Sequence, residues 1–289
     1  MRDYVIATDS SSDLPEELVQ QWGIPVVPLS VQIGKDRFRN CPEEAPDYHV
    51  FYTRLSKGES AKTSAPNVEE FKDRFRPILS QGKDLLYLGF SSALSATVQN
   101  GTLAAEELKE EYPDAVILTV DTLCASLGQG LMVDLALEEQ KKGRSIYEVR
   151  DYVLKTIPHL CHWFTVDDLN QLRRGGRLSA GKAVLGSLLH IKPVLHVDDG
   201  GRLVPVDTVK GRKKSIIALL NKLEESVSLS ENQRFYISHG DCLEEAEALS
   251  GMIQERFPTA SVTIGYVGPV IGAHSGLGTL ALFFLGSRR

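Results

Sequence analysis

Short apolar runs alternate along the chain with segments whose apolar residues recur at helical spacing. Apolar runs of the length of a buried strand cover residues 4–8, 85–90 and 115–120. Each run leads through a turn rich in Ser, Thr and Asp into a helical segment. This succession predicts a mostly parallel sheet flanked by helices, in which the turns meet at the carboxyl edge of the strands. Open α/β sheets bind their ligands at that edge.

The second half of the chain predicts another α/β unit. A helix over residues 166–174 is followed by a strand over residues 185–197, a tight turn and a further strand, and residues 234–267 have the pattern of a strand, a helix and a strand. Pro158 marks a break between the halves. With 289 residues, the chain is long enough for two α/β domains, which we place at residues 1–158 and 159–289.

Charge and composition exclude several classes of protein. The net charge is -6, with 32 Lys and Arg residues against 38 Asp and Glu residues, which argues against general binding to nucleic acid or anionic membrane. No apolar run has the length of a membrane span and no signal-peptide core follows Met1, so we expect a cytoplasmic protein. The four cysteines are scattered without a CxxC pair, so neither a disulfide framework nor a zinc site is indicated.

The polar turns carry the first candidate chemistry. Ser92 and Ser95 lie in the turn between the apolar run that ends at residue 90 and a helical pattern formed by Leu94, Val98, Leu103 and Leu108. Thr63 and Ser64 lie in a polar loop over residues 60–67. Hydroxyl groups at a helix N-terminus either bind an anion or cap the helix. Asp9 and Ser10 follow the first strand, where they point into a cleft or form a local turn, and we expect Ser12 or Asp13 to cap the next helix.

Two further clusters have functional and structural interpretations. Glycines surround His274 over residues 268–278, so the histidine either donates to an anion or stabilises a glycine turn. Arg173, Arg174 and Arg177 either bind a phosphate, a carboxylate or an acidic partner, or are a solvated helix end. His159 and His162 are metal-capable, but metal sites need three or four ligands, so we predict no metal site.

Seven motifs occur in order along the chain, at residues 8–15, 63–66, 91–97, 121–122, 172–179, 191–195 and 268–276. Taken together, they resemble the DegV family of bacterial fatty-acid-binding proteins. The resemblance covers nearly the whole chain and implies two α/β domains with one long-chain fatty acid, such as palmitate or oleate, held in the interdomain region.

The resemblance also implies roles for individual residues. Thr63, Ser95 and His274 would hold the carboxylate, with their motif neighbours Ser64, Ala96 and Ser275. Additional residues that would line the site are Asp9, Ser10 and Ser92. Arg177, with Arg173 and Arg174, would lie near the surface that docks a kinase. Leu277 replaces the usual proline of the family and Ala96 a common glycine, which changes the expected carboxylate geometry slightly.

The family resemblance implies a non-catalytic carrier that presents its fatty acid to a separate ATP-dependent kinase, which forms acyl phosphate for phospholipid synthesis. No Walker sequence is present, so we expect no ATP binding and no cofactor other than the lipid. One alternative is a serine hydrolase in which Ser95 or Ser92 is the nucleophile, His274 the base and Asp9 its orienting group. Another is a regulatory protein that senses fatty acids. Membrane contact, if any, would be transient.

Overall fold

A computed structural model describes residues 2–179, 190–228 and 234–289. Apart from the short 3-10 turns Ser10–Ser12 and Ile157–His159, its regular elements are strands and α-helices. The strands are β1 (Tyr4–Asp9), β2 (Val26–Val27), β3 (Ser30–Ile33), β4 (Asp36–Arg39), β5 (Ala61–Ser64), β6 (Asp84–Gly89), β7 (Ile117–Asp121), β8 (Leu160–Thr165), β9 (Ile191–Val197), β10 (Leu203–Lys210), β11 (Arg234–His239), β12 (Ser261–Tyr266) and β13 (Leu280–Leu285). The helices are α1 (Glu16–Trp22), α2 (Tyr48–Ser56), α3 (Val68–Leu79), α4 (Thr97–Glu111), α5 (Leu127–Lys141), α6 (Ile146–Thr156), α7 (Leu169–Arg174), α8 (Arg212–Ser226), α9 (Leu243–Arg256) and α10 (Pro269–Ser275).

The described strands form three sheets. The first is parallel in the order β2-β1-β6-β7, as the alternation of apolar runs and helical segments predicts. Its strand β6 is buried along its whole length, which explains the continuous apolar run over residues 85–90. The second sheet has the order β10-β9-β8-β13-β11-β12, in which only β11 and β12 pair in parallel. The predicted mixed α/β fold is confirmed.

A small antiparallel sheet, β4-β3-β5, was not expected from the sequence. The predicted polar loop over residues 60–67 is wrong at residues 61–64, because β5 pairs with β3 and places Thr63 opposite Val31. Side chains alternate along β5, so Thr63 is partly buried whereas Ser64 is exposed. Long-range pairing with β3 therefore overrides the polar local sequence.

Two local predictions near helix ends are also wrong. Residues 269–275 form helix α10 and not a glycine turn, because Pro269 starts the helix and Gly272 fits beneath the ring of Tyr52. Neither Ser12 nor Asp13 caps α1, which follows Pro15 without a side-chain cap. The Asp9 side chain instead caps the short Ser10–Ser12 turn by accepting a hydrogen bond from the backbone N–H of Ser11.

Helix α5 lies between the parallel sheet and the six-stranded sheet. Its residues are buried nearly all round, and its apolar side chains share one core with Ile6 and Leu86 of the parallel sheet and with Phe164 and Phe283 of the other sheet. The chain leaves α6 at Thr156 and enters β8 at Leu160. The division into domains at residue 158 stays a prediction.

The predicted strand over residues 185–197 begins outside the described residues. Its described part is β9, which is followed by the turn to β10. Each helix of the described ranges is too short or too polar to cross a bilayer.

Candidate functional site

One largely apolar cavity lies where the turns of the parallel sheet meet the six-stranded sheet and α10. Including its opening to solvent it encloses about 850 Å³. Both halves of the chain line it, and most of the lining is aliphatic or aromatic. The apolar residues of its wall include Phe90, Leu94, Phe164, Leu172, Leu203 and Phe283.

Hydroxyl and imidazole groups converge at one part of this wall. The Thr63 hydroxyl on β5 and His274 Nε2 on α10 share a hydrogen bond of 2.8 Å. The adjacent Ser275 is only 4% exposed, and its hydroxyl is a buried group with no hydrogen-bond partner within the described residues. His274 and Ser275 both line the cavity, so an imidazole and an unpaired hydroxyl belong to the same part of its wall.

The small sheet and α2 fix the position of α10. The hydroxyl of Tyr52 donates to the carbonyl of Val267 at 2.6 Å, just before the helix begins. Val270 and Ala273 of α10 pack in one apolar cluster with residues of β3 and α2. The side chain of His274 is therefore held by a helix that is itself packed on both the small sheet and α2.

His274 is a neutral imidazole in this environment. Burial, and secondarily the positive charge of Arg177, lower the pKa of His274 to about 4. Gly175 lies directly against the ring, since a Cβ on this residue would come within 2.6 Å of Nδ1. A neutral imidazole is able to donate or accept one hydrogen bond through Nε2 without adding a full charge.

Ser95 reaches the cavity from the turn that precedes α4. Its hydroxyl lies 2.8 Å from the hydroxyl of Thr97 and accepts a bond from the Thr97 backbone N–H at 3.3 Å. Ala96 occupies the N-cap position of α4 without a side-chain cap and is exposed. The serine thus lies at the positive end of a fifteen-residue helix, an environment favourable to an anion.

The three arginines are not placed together. Arg173 and Arg174 are exposed at the end of α7, where Arg174 donates to Gln171 at 2.7 Å. Arg177 is partly buried and lines the cavity, with hydrogen bonds to the carbonyls of Leu94 at 3.2 Å and Gly175 at 2.6 Å. Arg177 is therefore beside the polar groups of the cavity rather than with the other two on the exposed end of α7.

Asp9, Ser10 and Ser92 do not line this cavity. Asp9 is fully buried and accepts from the Tyr87 hydroxyl at 2.6 Å and the Phe90 backbone N–H at 3.0 Å. The Ser10 hydroxyl accepts from the Leu29 backbone N–H at 2.9 Å. These contacts stabilise the carboxyl edge of β1 and β6. Asp9, Ser10 and Ser92 are therefore not part of the proposed site.

The geometry does not assemble a serine hydrolase triad. His274 Nε2 is engaged by Thr63, the Ser95 hydroxyl by Thr97, and Asp9 by Tyr87 and backbone N–H groups. The hydrolase alternative predicts that Asp9 orients His274, and this prediction is therefore wrong. In the described part of the chain, no cluster of three or more His, Cys, Asp or Glu side chains is arranged to hold a metal.

Sequence reasoning missed three polar residues of the cavity wall, Ser126, His162 and Thr279. Ser126 has a positive φ of 53° just before α5 and donates to Asp13 at 2.5 Å. His162 lies on β8 and is only 2% exposed. No local signal in the sequence shows that a strand from the second half of the chain brings His162 to the same cavity as Ser126.

Comparison with known proteins matches residues 3–287 to a family described as an uncharacterised protein, DegV family. A DegV domain-containing protein of Clostridium perfringens is 44% identical over 289 residues, which is 100% of this chain and 99% of that protein. A fatty-acid-binding DegV family protein from Thermus thermophilus is 31% identical, with 99% and 100% of the two chains covered and a TM-score of 0.89. DegV from Bacillus subtilis, described as a fatty acid binding protein, is 29% identical with a TM-score of 0.86 and the same coverage.

Proposed function

The chain belongs to the DegV family, and from that premise we propose that it binds one long-chain fatty acid, such as palmitate or oleate, in the cavity. Thr63, Ser95, His274 and Ser275 hold the carboxylate, and the apolar wall holds the acyl chain. The observation that carries this proposal is an apolar cavity with the Thr63–His274 pair on its wall. Ser64 and Ala96 are exposed neighbours that shape the backbone of the site.

The chemistry of the polar groups suits a carboxylate. Hydroxyls and a neutral imidazole donate hydrogen bonds to its oxygens, and the N-terminus of α4 adds a favourable partial charge. Arg177 supplies a full positive charge at the same wall, but two backbone carbonyls already accept from its guanidinium. The carboxylate is therefore oriented without being locked into a bidentate ion pair, so one oxygen stays available for reaction.

The acyl chain supplies most of the gross binding energy. Burial of one methylene contributes roughly 0.8 kcal/mol, so a dozen methylenes contribute roughly 10 kcal/mol before the entropic costs of binding are subtracted. The polar groups then need only fix the direction of the ligand. Affinity from the acyl chain and orientation by the polar groups agree with a wall in which aliphatic and aromatic side chains outnumber polar ones.

The protein acts as a carrier and not as an enzyme. It presents the carboxylate to a separate cytoplasmic, ATP-dependent fatty-acid kinase, and the acyl phosphate enters phospholipid synthesis. Arg173 and Arg174 are exposed directly after Leu172, a residue of the cavity wall, and this suits a docking surface for an acidic face of the kinase. This role rests on the family resemblance together with that exposure.

Native mass spectrometry of the purified protein tests the binding proposal. The expected spectrum has one long-chain fatty acid per chain, which denaturing extraction identifies. A protein that is empty as purified and that also fails to take up palmitate or oleate would contradict the proposal. If the protein binds the acid but does not accelerate its phosphorylation by a bacterial fatty-acid kinase, the binding proposal stands. This result would favour the fatty-acid-sensing alternative.

A further inference from the structure

The motif at residues 8–15 has no part in the site described so far, yet its aspartate Asp13 contacts two elements of the cavity wall. None of these eight residues, all of which the structure describes, lines the cavity. Oδ2 of Asp13 accepts a hydrogen bond of 2.5 Å from Ser126, which lines the cavity just before α5. Oδ1 lies against the backbone of Gly268, which directly precedes α10. Asp13 therefore joins the starts of α5 and α10.

The carboxyl group of Asp13 is enclosed without a neighbouring cation. Its Oδ1 is buried without a hydrogen bond of normal geometry, and no Lys or Arg of the described ranges forms an ion pair with it. The titratable groups that interact with it are Asp9 of β1 and the tyrosines Tyr48 and Tyr52 of α2. Glu16 of α1 is exposed in the open groove that Asp13 also lines.

This environment keeps Asp13 uncharged at neutral pH. Burial raises the pKa of Asp13 to about 8, although the Ser126 hydroxyl and the Gly268 N–H favour the ionised form. The negative charge of Asp9 acts in the same direction as burial. The elements α5, β11 and α10 contribute only hydroxyl and backbone groups to this junction.

The contacts at the junction fix an unusual backbone conformation of Ser126. Its φ is 53° and that of Asp13 is 51°, values that residues other than glycine adopt rarely. The Ser126 hydroxyl also lies 2.9 Å from that of Ser238, and its backbone N–H donates to the Ser11 carbonyl at 2.8 Å. Such conformations persist where surrounding contacts determine them, so Asp13 contributes to the position of the cavity wall at Ser126.

The same carboxyl group lies at the beginning of the helix that carries the polar end of the proposed site. Helix α10 has only seven residues, and Val270, Ile271, His274 and Ser275 all line the cavity. A displacement at the start of so short a helix moves its last turn as well. The contact between Asp13 and Gly268 therefore bears on the position of His274 relative to its partner Thr63.

We propose that Asp13 is a positioning residue of the lipid site, where an uncharged carboxyl group joins the cavity wall at Ser126 to the helix that carries His274. The inference rests on the function proposed above and gives the motif at residues 8–15 a role in it. An ionised carboxylate at this junction would be buried without a cation and would repel the carboxylate of the lipid.

Palmitate titrations of the delipidated Asp13→Ala and Asp13→Asn variants at pH 7 test this inference. Asparagine keeps the shape of the side chain and an oxygen that accepts from Ser126, so affinity is expected to stay within about twofold of wild type. Alanine removes the junction, and affinity is expected to fall by about tenfold. Glu17→Ala is the control, since it removes an exposed carboxylate of the same groove and should leave affinity unchanged. Wild-type affinity in a folded Asp13→Ala variant would overturn the inference.

The pH profile of binding separates an uncharged positioning group from a contact of any charge. Wild-type palmitate affinity is expected to fall several-fold between pH 7 and pH 9.5, because the acyl chain excludes solvent near Ser126 and makes ionisation of Asp13 more costly in the complex. Asp13→Asn should lack this fall, whereas Glu17→Gln should retain it. Parallel profiles of the wild-type protein and Asp13→Asn would overturn the inference.

Gly268→Ala provides a second test that keeps the carboxyl group, should Asp13→Ala fail to fold. The backbone angles of Gly268 suit alanine, but the new Cβ would lie 2.6 Å from Oδ1 of Asp13. Helix α10 must then move away from Asp13, and palmitate affinity is expected to fall by about tenfold. Unchanged affinity in this variant would contradict the inference. Failure of the wild-type protein to bind palmitate at pH 7 would instead refute the proposed function.

Discussion

Thr63 Oγ1 and His274 Nε2 lie 2.8 Å apart, although 211 positions separate the two residues in the chain. One belongs to a strand of the small antiparallel sheet and the other to the short helix α10. The pair therefore depends on the packing of α10 against that sheet. Because both side chains line an apolar cavity, this relationship defines the polar end of the proposed lipid site.

Thr63→Val tests the hydroxyl of this pair. The substitution keeps the branched shape of the side chain and removes its hydrogen bond, so we expect palmitate affinity to fall by about tenfold or more, as for a bond to a charged group. Isothermal titration of the delipidated protein measures the loss. Ser64→Ala is the matched control, since Ser64 lies on the opposite, exposed face of β5 and should leave affinity unchanged. Equal affinities in all three proteins would remove Thr63 from the site.

Gly175→Ala tests the position of the imidazole. Gly175 has helical backbone angles that alanine adopts readily, but the new Cβ would lie 2.6 Å from Nδ1 of His274. The ring must then move away from Thr63, and palmitate affinity is expected to fall by about tenfold, comparable with the loss of one hydrogen bond to a charged group.

Gly251→Ala in α9 is the control for this substitution, because nothing lies within 4 Å of its Cβ position. Replacement of a glycine inside a helix by alanine should raise the free energy of unfolding by about 0.5–1 kcal/mol and leave palmitate affinity unchanged. Tight palmitate binding by Gly175→Ala would mean that the histidine does not need its observed position.

The neutral state of His274 predicts a pH dependence of stability in the lipid-free protein. Burial and the charge of Arg177 lower its pKa to about 4 from the ordinary histidine value of 6.5. The folded protein therefore binds fewer protons at this residue than the unfolded chain, and the contribution of His274 to stability is present above pH 6.5 and is lost as the pH falls towards 4.

Urea unfolding of the wild-type protein and His274→Gln at several pH values measures this contribution. We expect the wild-type free energy of unfolding to decrease more than that of the variant between pH 6.5 and pH 4. Subtraction of the two curves removes the contributions of other titrating groups. If the two curves of unfolding free energy against pH are parallel, the pKa of His274 is not lowered in the folded state.

Arg173→Glu with Arg174→Glu tests the docking surface. Both side chains are exposed, so palmitate affinity should stay unchanged while acyl phosphate formation by a purified bacterial fatty-acid kinase falls, chiefly through slower association. Lys213→Glu with Lys214→Glu makes the same change of charge on the exposed start of α8 and should leave the rate unchanged. Equal losses in the two double variants would indicate a general effect of net charge and not a docking site.

Three strands of the parallel sheet, β1, β6 and β7, were predictable because each is a largely apolar run that ends in a polar turn. Strand β5 was not, since its sequence Ala61-Lys-Thr-Ser64 reads as a solvated loop. Only pairing with β3, some thirty residues away, makes it a strand. Helix α10 was missed for a related reason: small residues such as Gly272 favour turns locally, but here the glycine allows close packing against Tyr52.

Some residues of the candidate site were also predictable from the sequence, and others were not. Thr63, Ser95 and His274 were recognisable as polar residues in motifs that resemble a known family, and the structure brings all three to one cavity. Arg177 was grouped with its neighbours by sequence spacing, yet the bend after α7 at Gly175 and Gly176 directs it to the cavity wall. No sequence signal places His162 at the cavity, because its environment is created by residues of α5 and β13.

A crystal structure of the delipidated protein reloaded with palmitate tests the central claim most directly. We predict electron density for an acyl chain along the apolar wall and for a carboxylate within hydrogen-bonding distance of the Thr63 hydroxyl and His274 Nε2. Density with the carboxylate at His162, or palmitate bound only outside the cavity, would contradict the account.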